Sequence, residues 1–357
     1  MKILEDVSLA QYTTLGVGGA ARWFVETRTE DEIVEAVGFA RRRGVPLFVL
    51  GDGSNLLVSD AGFVGVVVRV AAADGVRDVR EDESVVVTVG AGSGWDDLVL
   101  HAVERGYAGI ECLAGIPGSV GGTPVQNVGA YGQEVSETIV GVRAFDLESG
   151  AFVELEHAAC GFAYRRSIFN TTARGRYIVT AVSYGLRVGG APTLKYADLQ
   201  RHFAGRLATG ETRALREVYD AVREIRARKG MLAGQGGEDA RSAGSFFKNP
   251  VMRVETVERL AAVAGCGVDE VPRFPGGVEG MVKVPAAWLI EWAGFSKGFA
   301  IGRAGLSSKH VLAIVNRGGA TAAEIVALRD AVVGEVKARF GITLEQEPVM
   351  LGFPPAG

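Results

Sequence analysis

Two glycine clusters hold the residues best suited to chemistry in this sequence. Gly51-Asp52-Gly53-Ser54-Asn55 is one, and the other runs over 114–132 with Gly115, Gly118, Gly121, Gly122, Gly129 and Gly132. Glycine inside a helix or strand costs about 0.5–1 kcal/mol relative to alanine, so segments of this kind serve as backbone. They let amide N–H groups converge on an anion, or let the chain approach a flat ligand with no Cβ in the way. Ser119, Gln126, Asn127 and Tyr131, set among the glycines, are of the types that bond phosphate oxygens or heterocycle edges. A tight structural turn followed by a loop accounts for one such cluster; two in one half of the chain point to a nucleotide or dinucleotide cofactor. Neither is a Walker A loop, which needs Gly-Lys-Ser/Thr, and Leu56 stands where a Rossmann fingerprint needs its third glycine. The spacing specifies a phosphate cradle without naming the cofactor.

The elements that must position these loops follow from apolar periodicity. A short apolar run at 23–25 precedes Thr29 and Glu32, a capping box that opens a helix with Ile33, Val37 and Ala40 buried, and Gly44 stops it. The run 46–50, apolar throughout, reads as a buried strand ending at the first glycine cluster. Strands are expected at 64–70 and 85–89, a helix at 95–104 after the glycines of 90–94, a hairpin of 139–147 with 151–155, and a strand at 177–184. Between 211 and 228, Leu215, Val218, Val222 and Ile225 mark a helical face with Arg and Glu opposite. A polar, glycine-rich insertion at 230–244 is expected to be a mobile loop. Helices near 254–264, 286–292 and 321–340, the last with Thr321 and Glu324 as its capping box, complete a mixed α+β second half. The main boundary is placed near 200–210.

Composition excludes several classes. Glycine supplies 50 of the 357 residues, about twice the ordinary share, yet 48% of residues are hydrophobic and 22% charged, which fits neither collagen nor disorder. A net charge of −4 gives no footprint for nucleic acid or an anionic membrane. Cys112, Cys160 and Cys266 are odd in number and unpaired in spacing, so they are expected as core residues rather than as disulfides, metal ligands or nucleophiles. No metal site is expected. No signal peptide or membrane span is visible, and a cytoplasmic protein is expected.

The residues around these loops resemble a known family. The stretch 50–57 and Gly115-Ile116-Pro117-Gly118-Ser119-Val120-Gly121-Gly122, running on into 126–132, look like the FAD-binding loops of the UDP-N-acetylenolpyruvoylglucosamine reductases. Segments 164–169, 244–250, 287–291 and 308–312 resemble that family in the same order, and the likeness extends from about Thr14 to Gly352. It implies an α+β fold: a two-part FAD-binding domain of the vanillyl-alcohol-oxidase/PCMH type over 1–205, with subdomains of about 1–70 and 71–205, and a smaller α+β substrate-binding domain over 206–345. Residues 346–357 would form a C-terminal segment carrying a catalytic glutamate.

It further implies NADPH-dependent reduction of an enolpyruvyl UDP-sugar in peptidoglycan precursor synthesis, by a monomer. Cofactor contacts carried over from the family are Gly51, Asp52, Gly53, Ser54, Asn55, Gly115, Ile116, Pro117, Gly118, Ser119, Gly122, Asn127, Gly129, Ala130, Tyr131, Gly132 and Ile178. Arg165 matches the arginine that binds the substrate carboxylate, a task suited to a planar, always-charged fork. Ser245 matches the serine that donates a proton. Glu347 matches the acid assisting the enolate, and is expected to be partly protonated by burial or water-bridged. The family pattern Leu-Glu-Pro-Glu is altered here to Leu344-Glu345-Gln346-Glu347-Pro348, and counting from either side selects Glu347 over Glu345. Lys229 and Asn249 match residues contacting the substrate diphosphate or the nicotinamide nucleotide, and Tyr164 a substrate contact. Tyr196, in 194–199, resembles the tyrosine of a loop that closes over the substrate nucleotide. Two rival readings are an oxidase of the wider flavoprotein superfamily, often tethered to its flavin through histidine, and a catalytically silent nucleotide-binding module. No histidine occurs in 1–100, which disfavours the first, and the presence of Arg165, Ser245 and Glu347 disfavours the second.

Overall fold

A computed structural model describes every residue except 74, 209–212, 233–235 and 355–357. The chain falls into two compact units, one made of 1–7, 21–53 and 64–233, the other of 8–20, 54–63 and 234–357. The boundary therefore lies at 233/234 rather than near 200–210, and the second unit also takes in two stretches from the amino-terminal half. Long-range bonds explain the difference: Asn316 Nδ2 donates to the Leu15 carbonyl at 2.9 Å, and Val349–Leu351 pairs in parallel with Leu56–Val58.

The first unit holds two sheets. The smaller has the order Ile3–Ser8, Ala20–Thr27, Phe63–Val70, Leu47–Leu50, the last two strands parallel. Helix α1 (Glu30–Arg43) buries Ile33, Ala36, Val37 and Ala40 and ends at Gly44, whose φ of +63° needs no Cβ penalty. Thr29 Oγ1 accepts the Glu32 N–H, but the Glu32 carboxylate takes the Arg28 N–H at 2.7 Å, so only half of the expected capping box forms. Leu47–Leu50 is half-buried up to its last residue rather than buried throughout, because it is an edge strand. The larger sheet runs Ala151–Glu156, Ile139–Asp146, Tyr177–Val188, Ser84–Gly90, Val76–Glu81, all neighbours antiparallel, with Tyr107–Ala108 beside the far end of Tyr177–Val188. Helices α2 (Trp95–Glu104), α3 (Ala197–His202), α4 (Ala204–Ala208) and α5 (Leu215–Arg228) complete the unit. The 211 start expected for α5 lies outside the described residues. Trp95 is 1% exposed, donates its indole N–H to the Leu113 carbonyl at 3.0 Å and packs on Tyr184, whose hydroxyl meets Thr123 Oγ1 at 2.7 Å. One bond reaches the residue just before the second glycine cluster and the other its middle, so the core fixes where that cluster runs.

In the second unit, α6 (Thr256–Ala264), α7 (Ala286–Trp292) and α8 (Ala322–Phe340) pack around Phe246, Phe247, Leu289, Ile290, Leu328 and Val332. At the start of α8 the reciprocal Thr321–Glu324 box forms as expected, and Asp60 accepts the Ala322 and Ala323 N–H groups. Part of the 230–244 insertion, 233–235, lies outside the described residues. Its later part is not a loose loop: Asp239 accepts from Ser308 N–H and Oγ, Arg241 O accepts the Asn316 N–H, and Ser242 bridges to Val315. Buried acceptors facing the 307–316 region hold it.

Candidate functional site

Three glycine stretches converge in the first unit. Residues 118–121 lie against 91–95, with Trp95 N–H donating to Gly118 O, Val120 N–H to Ser93 O and Gly121 N–H to Ala91 O, each at 2.9 Å. The first cluster meets them at Ser119: a Cβ built on Gly51 would stand 2.9 Å from Ser119 Oγ. Gly53 has a φ of +62° and Gly118 one of +135°, conformations that L side chains seldom adopt. Gly122 is exposed. Asp52 beside them feels burial first, which raises its carboxyl above the ordinary range, with Arg69 3.8 Å away pulling the other way. Ser54 and Asn55 fall in the second unit, where Thr14 Oγ1 donates to Ser54 O.

Gly115 is gripped from behind by residues that periodicity did not mark. Its N–H donates to Asp96 Oδ1 at 2.6 Å, and its carbonyl accepts from Arg226 Nε at 2.9 Å. Arg223 pairs with Asp96, and Tyr219 donates to it at 3.3 Å. Arg226, only 7% exposed, also donates to Met231 O at 2.7 Å; burial pushes its guanidinium below the ordinary value, and Tyr131 opposes that. It sits on the buried face of α5, not opposite it as expected. The available signal was an arginine four residues after Val222, in phase with the apolar stripe. Ile116 packs against the core, and Pro117 follows it at the surface of the turn.

The rest of the segment carries backbone strain. Five non-glycine residues have left-handed backbone among the described residues, and three are here: Asn127 (φ +47°), Tyr131 (+49°) and Arg165 (+55°). Strain of this kind concentrates at functional sites, where surrounding contacts hold it. Tyr164 and Arg165 form the tip of a two-residue turn closed by paired bonds between Ala163 and Arg166. Arg165 Nη2 donates to Gly129 O at 2.8 Å and Nη1 to Asn127 O at 3.4 Å, which ties the turn to the glycine loop. Arg166 is exposed. The Asn127 side chain faces inward: Nδ2 donates to Glu134 Oε2 and Ala163 O, and Oδ1 accepts the Ser136 N–H. Its side chain is therefore fully used within the protein. Ala130 pairs with Gln133, and Gly132 (φ +85°) leaves 3.3 Å between an added Cβ and Lys195 Cβ. Ile178 is fully enclosed in the core and offers no side-chain surface to a ligand.

Tyr131, Tyr196 and Lys229 come together. The two tyrosine rings meet edge to face at 5.3 Å, and Lys229 Nζ lies 5.7 Å from the Tyr131 ring centre. Lys229 also pairs with Asp198 at 2.7 Å. Burial pushes the Tyr131 phenol up to about 12. The segment leading to Tyr196 is anchored by Glu111, 0% exposed, which accepts from Gly109 N–H, Gln133 Nε2 and Thr193 N–H. Cys112 donates its thiol to Thr193 O and is fully buried, which raises the thiol far above its ordinary value. Cys160 is buried as expected, whereas Cys266 is partly exposed.

The second unit runs the segment after Ser245 alongside 345–347. Gly244 turns with a φ of +71°, Ser245 follows, and Phe246 N–H donates to Leu312 O at 2.7 Å. Glu347 N–H donates to Phe246 O at 2.9 Å, and Phe247 bridges to Gln346. Asn55, expected only as a cofactor contact, brackets this segment: its Nδ2 donates to Glu347 O at 3.2 Å and its carbonyl accepts the Val349 N–H. Glu345 is 73% exposed and paired with Lys248. Asn249 Oδ1 accepts the Ala286 N–H at 2.9 Å, capping α7, so only its amide nitrogen remains for a substrate.

Comparison with known proteins also gives two parts. A family model described as an FAD binding domain matches residues 21–156, and one described as the C-terminal domain of UDP-N-acetylenolpyruvoylglucosamine reductase matches 237–351. The chain is 46% identical over 353 residues to the UDP-N-acetylenolpyruvoylglucosamine reductase of Thermobifida fusca, covering 98% of both chains. It is 44% identical to that of Streptomyces coelicolor, covering 98% of this chain and 90% of the relative. The crystal structure of the Thermus caldophilus reductase superposes with a TM-score of 0.64 at 31% identity, over 98% of this chain and 99% of that one.

Proposed function

The chain belongs to the UDP-N-acetylenolpyruvoylglucosamine reductase family, and from that premise we propose that Arg165, Ser245 and Glu347 carry out the family's reduction. The enzyme converts UDP-N-acetylglucosamine enolpyruvate to UDP-N-acetylmuramate with NADPH, in peptidoglycan precursor synthesis. Its fold is α+β, a two-part FAD-binding domain of the vanillyl-alcohol-oxidase/PCMH type with a smaller α+β substrate-binding domain. When bound, FAD supplies the redox chemistry, accepting hydride from NADPH and delivering hydride to the terminal carbon of the enolpyruvyl double bond.

The residues present fit that cofactor. Bare backbone at Gly51, Gly53 and Gly118, with Ser119 beside them, leaves side chains out where a diphosphate needs amide groups, and Gly122, whose own N–H goes to Ser119 O, adds open surface next to them. Arg226 and Asp96 hold Gly115 by its carbonyl and its N–H, so the loop keeps its shape as charge arrives.

Hydride addition at the terminal carbon leaves carbanion character next to the substrate carboxylate. Arg165 binds that carboxylate and stabilises the charge spreading onto it. Ser245 Oγ passes its proton to the adjacent carbon; a neutral hydroxyl suffices because the developing carbanion is far more basic than an alkoxide. Glu347 supports the same centre, held in place through its backbone by Phe246 and Asn55. Tyr164, Tyr196, Lys229 and the Asn249 amide bind the substrate. The observation that carries this assignment is the left-handed strain shared by Asn127, Tyr131 and Arg165, which holds the arginine at the tip of a turn tied to the glycine loop. The same reading makes the protein a cytoplasmic monomer, which sedimentation of the purified enzyme tests.

Anaerobic spectroscopy tests the roles. NADPH should bleach the flavin of both wild type and Ser245→Ala, while the enolpyruvyl substrate restores the colour quickly only in wild type. Restoration at the wild-type rate in the variant would remove Ser245 from the mechanism.

A further inference from the structure

We propose that Asp198 competes with the substrate's diphosphate for Lys229, so that a nucleoside diphosphate displaces its carboxylate and frees the Tyr196 segment to close over the nucleotide. The inference rests on the assignment of Lys229 to the diphosphate.

Three observations carry it, all within the first unit. Asp198 lies in the first turn of α3, two residues after Tyr196, while Lys229 caps the end of α5, and their 2.7 Å ion pair joins the two helices. Tyr196 and Lys229 both rest on Tyr131, so the pair closes a cluster that contains the expected lid residue and the expected phosphate ligand. Beside it opens a cavity of about 420 Å³ lined by Asp198, Arg201, His202, Ile225, Arg228 and Lys229. Asp198 is the single acid among three permanent cations there, and Arg201 pairs with it as well.

The electrostatics favour exchange. Burial pushes the Asp198 carboxyl up, but Lys229 and Arg201 outweigh it and hold the group below the ordinary carboxylate range, so it is charged at neutral pH. With Arg228 already paired to Glu224, one carboxylate between Lys229 and Arg201 leaves a net positive charge, which a diphosphate neutralises more fully and through more acceptor oxygens. The displaced Asp198 no longer fastens α3 to α5. The first helical turn after Tyr196 then moves independently of Lys229, which is what a segment closing over a nucleotide requires.

Calorimetric titration of the FAD-loaded enzyme with UDP tests the proposal. Asp198→Asn and Asp198→Ser should each bind UDP roughly three- to fivefold more tightly than wild type, the size expected for loss of one partly exposed competing ion pair. Two replacements of different size separate the charge from packing, and either one alone can decide. In a Lys229→Met background the gain should vanish. Unchanged or weaker binding by the Asp198 variants, or a gain that persists without Lys229, overturns the competition. Wild-type UDP affinity in Lys229→Met alone overturns instead the assignment of Lys229, and is read independently of Asp198.

Discussion

Gly121 and Gly122 are neighbours in one turn and are glycine for different reasons, which makes them a sharp test of the cradle. A Cβ on Gly121 would lie 2.6 Å from Ala91 Cβ and 3.2 Å from both the Ala91 Cα and carbonyl oxygen. Carbon atoms in contact rest about 3.5–4.0 Å apart. Retreat is blocked, since Gly121 N–H is bonded to Ala91 O at 2.9 Å on that same side. Overpacking of this kind costs about 1–3 kcal/mol. On Gly122, the nearest atom to an added Cβ is Ser119 Oγ at 3.8 Å, an ordinary contact, and its φ lies outside the left-handed region. Alanine there should add about 0.4–1 kcal/mol by restricting the unfolded chain. At about 2–4 °C per kcal/mol, Gly121→Ala should melt several degrees low and Gly122→Ala at or slightly above wild type. FAD titration of the apoproteins should give the opposite emphasis. The new methyl of Gly122→Ala stands on the open side of the turn and should weaken FAD at least about tenfold, or about 1.4 kcal/mol. Wild-type FAD affinity in Gly122→Ala would refute the cradle, and wild-type stability in Gly121→Ala would refute the packing argument.

Two other perturbations have defined outcomes. Glu347→Gln should retain about ten times more turnover than Glu347→Ala, because both keep the backbone bonds to Phe246 and Asn55 and only Gln keeps a hydrogen-bonding group; equal losses in steady-state assays would argue against a hydrogen-bonding role for the Glu347 side chain. The Asp146 carboxylate is held well below its ordinary range by Arg176 first, with the Glu148 N–H and Ser149 hydroxyl adding to it. A depressed carboxyl contributes stability above its unfolded pKa of about 3.9 and loses it as pH falls toward the folded value. The melting advantage of wild type over Asp146→Asn should hold steady above about pH 5 and shrink below about pH 4; an advantage unchanged by acid would contradict the assignment.

Much of the fold was legible because local signals agreed with it. Trp95–Glu104 and Ala286–Trp292 fall where apolar spacing puts them, and the Thr321–Glu324 box opens α8. Val76–Glu81 gave no signal, since an edge strand exposed on nearly every residue needs no apolar alternation. The unit boundary was hidden for another reason: 8–20 and 54–63 have no distinctive composition and join the second unit through contacts far along the chain. In the candidate site, the glycines were readable from type and spacing, whereas Arg165 was picked out only by the family resemblance. Arg226, Asp96 and Asp198 were not, because what they do depends on partners supplied by other elements, and periodicity alone treats an arginine on α5 as solvated.

The patchwork make-up of the second unit bears on how the chain is born. Glu347 O and the Asn55 amide, 292 positions apart, share one hydrogen bond, and the parallel pair of Leu56–Val58 with Val349–Leu351 adjoins it. On the ribosome, at roughly 5–20 residues per second, 54–63 is synthesised early and waits tens of seconds for its partner strand. Unit one can finish folding around that gap, so the early stretch spends translation exposed. The segment bearing Glu347 arrives after it and completes the unit, making the acid's placement one of the last events in the enzyme's maturation.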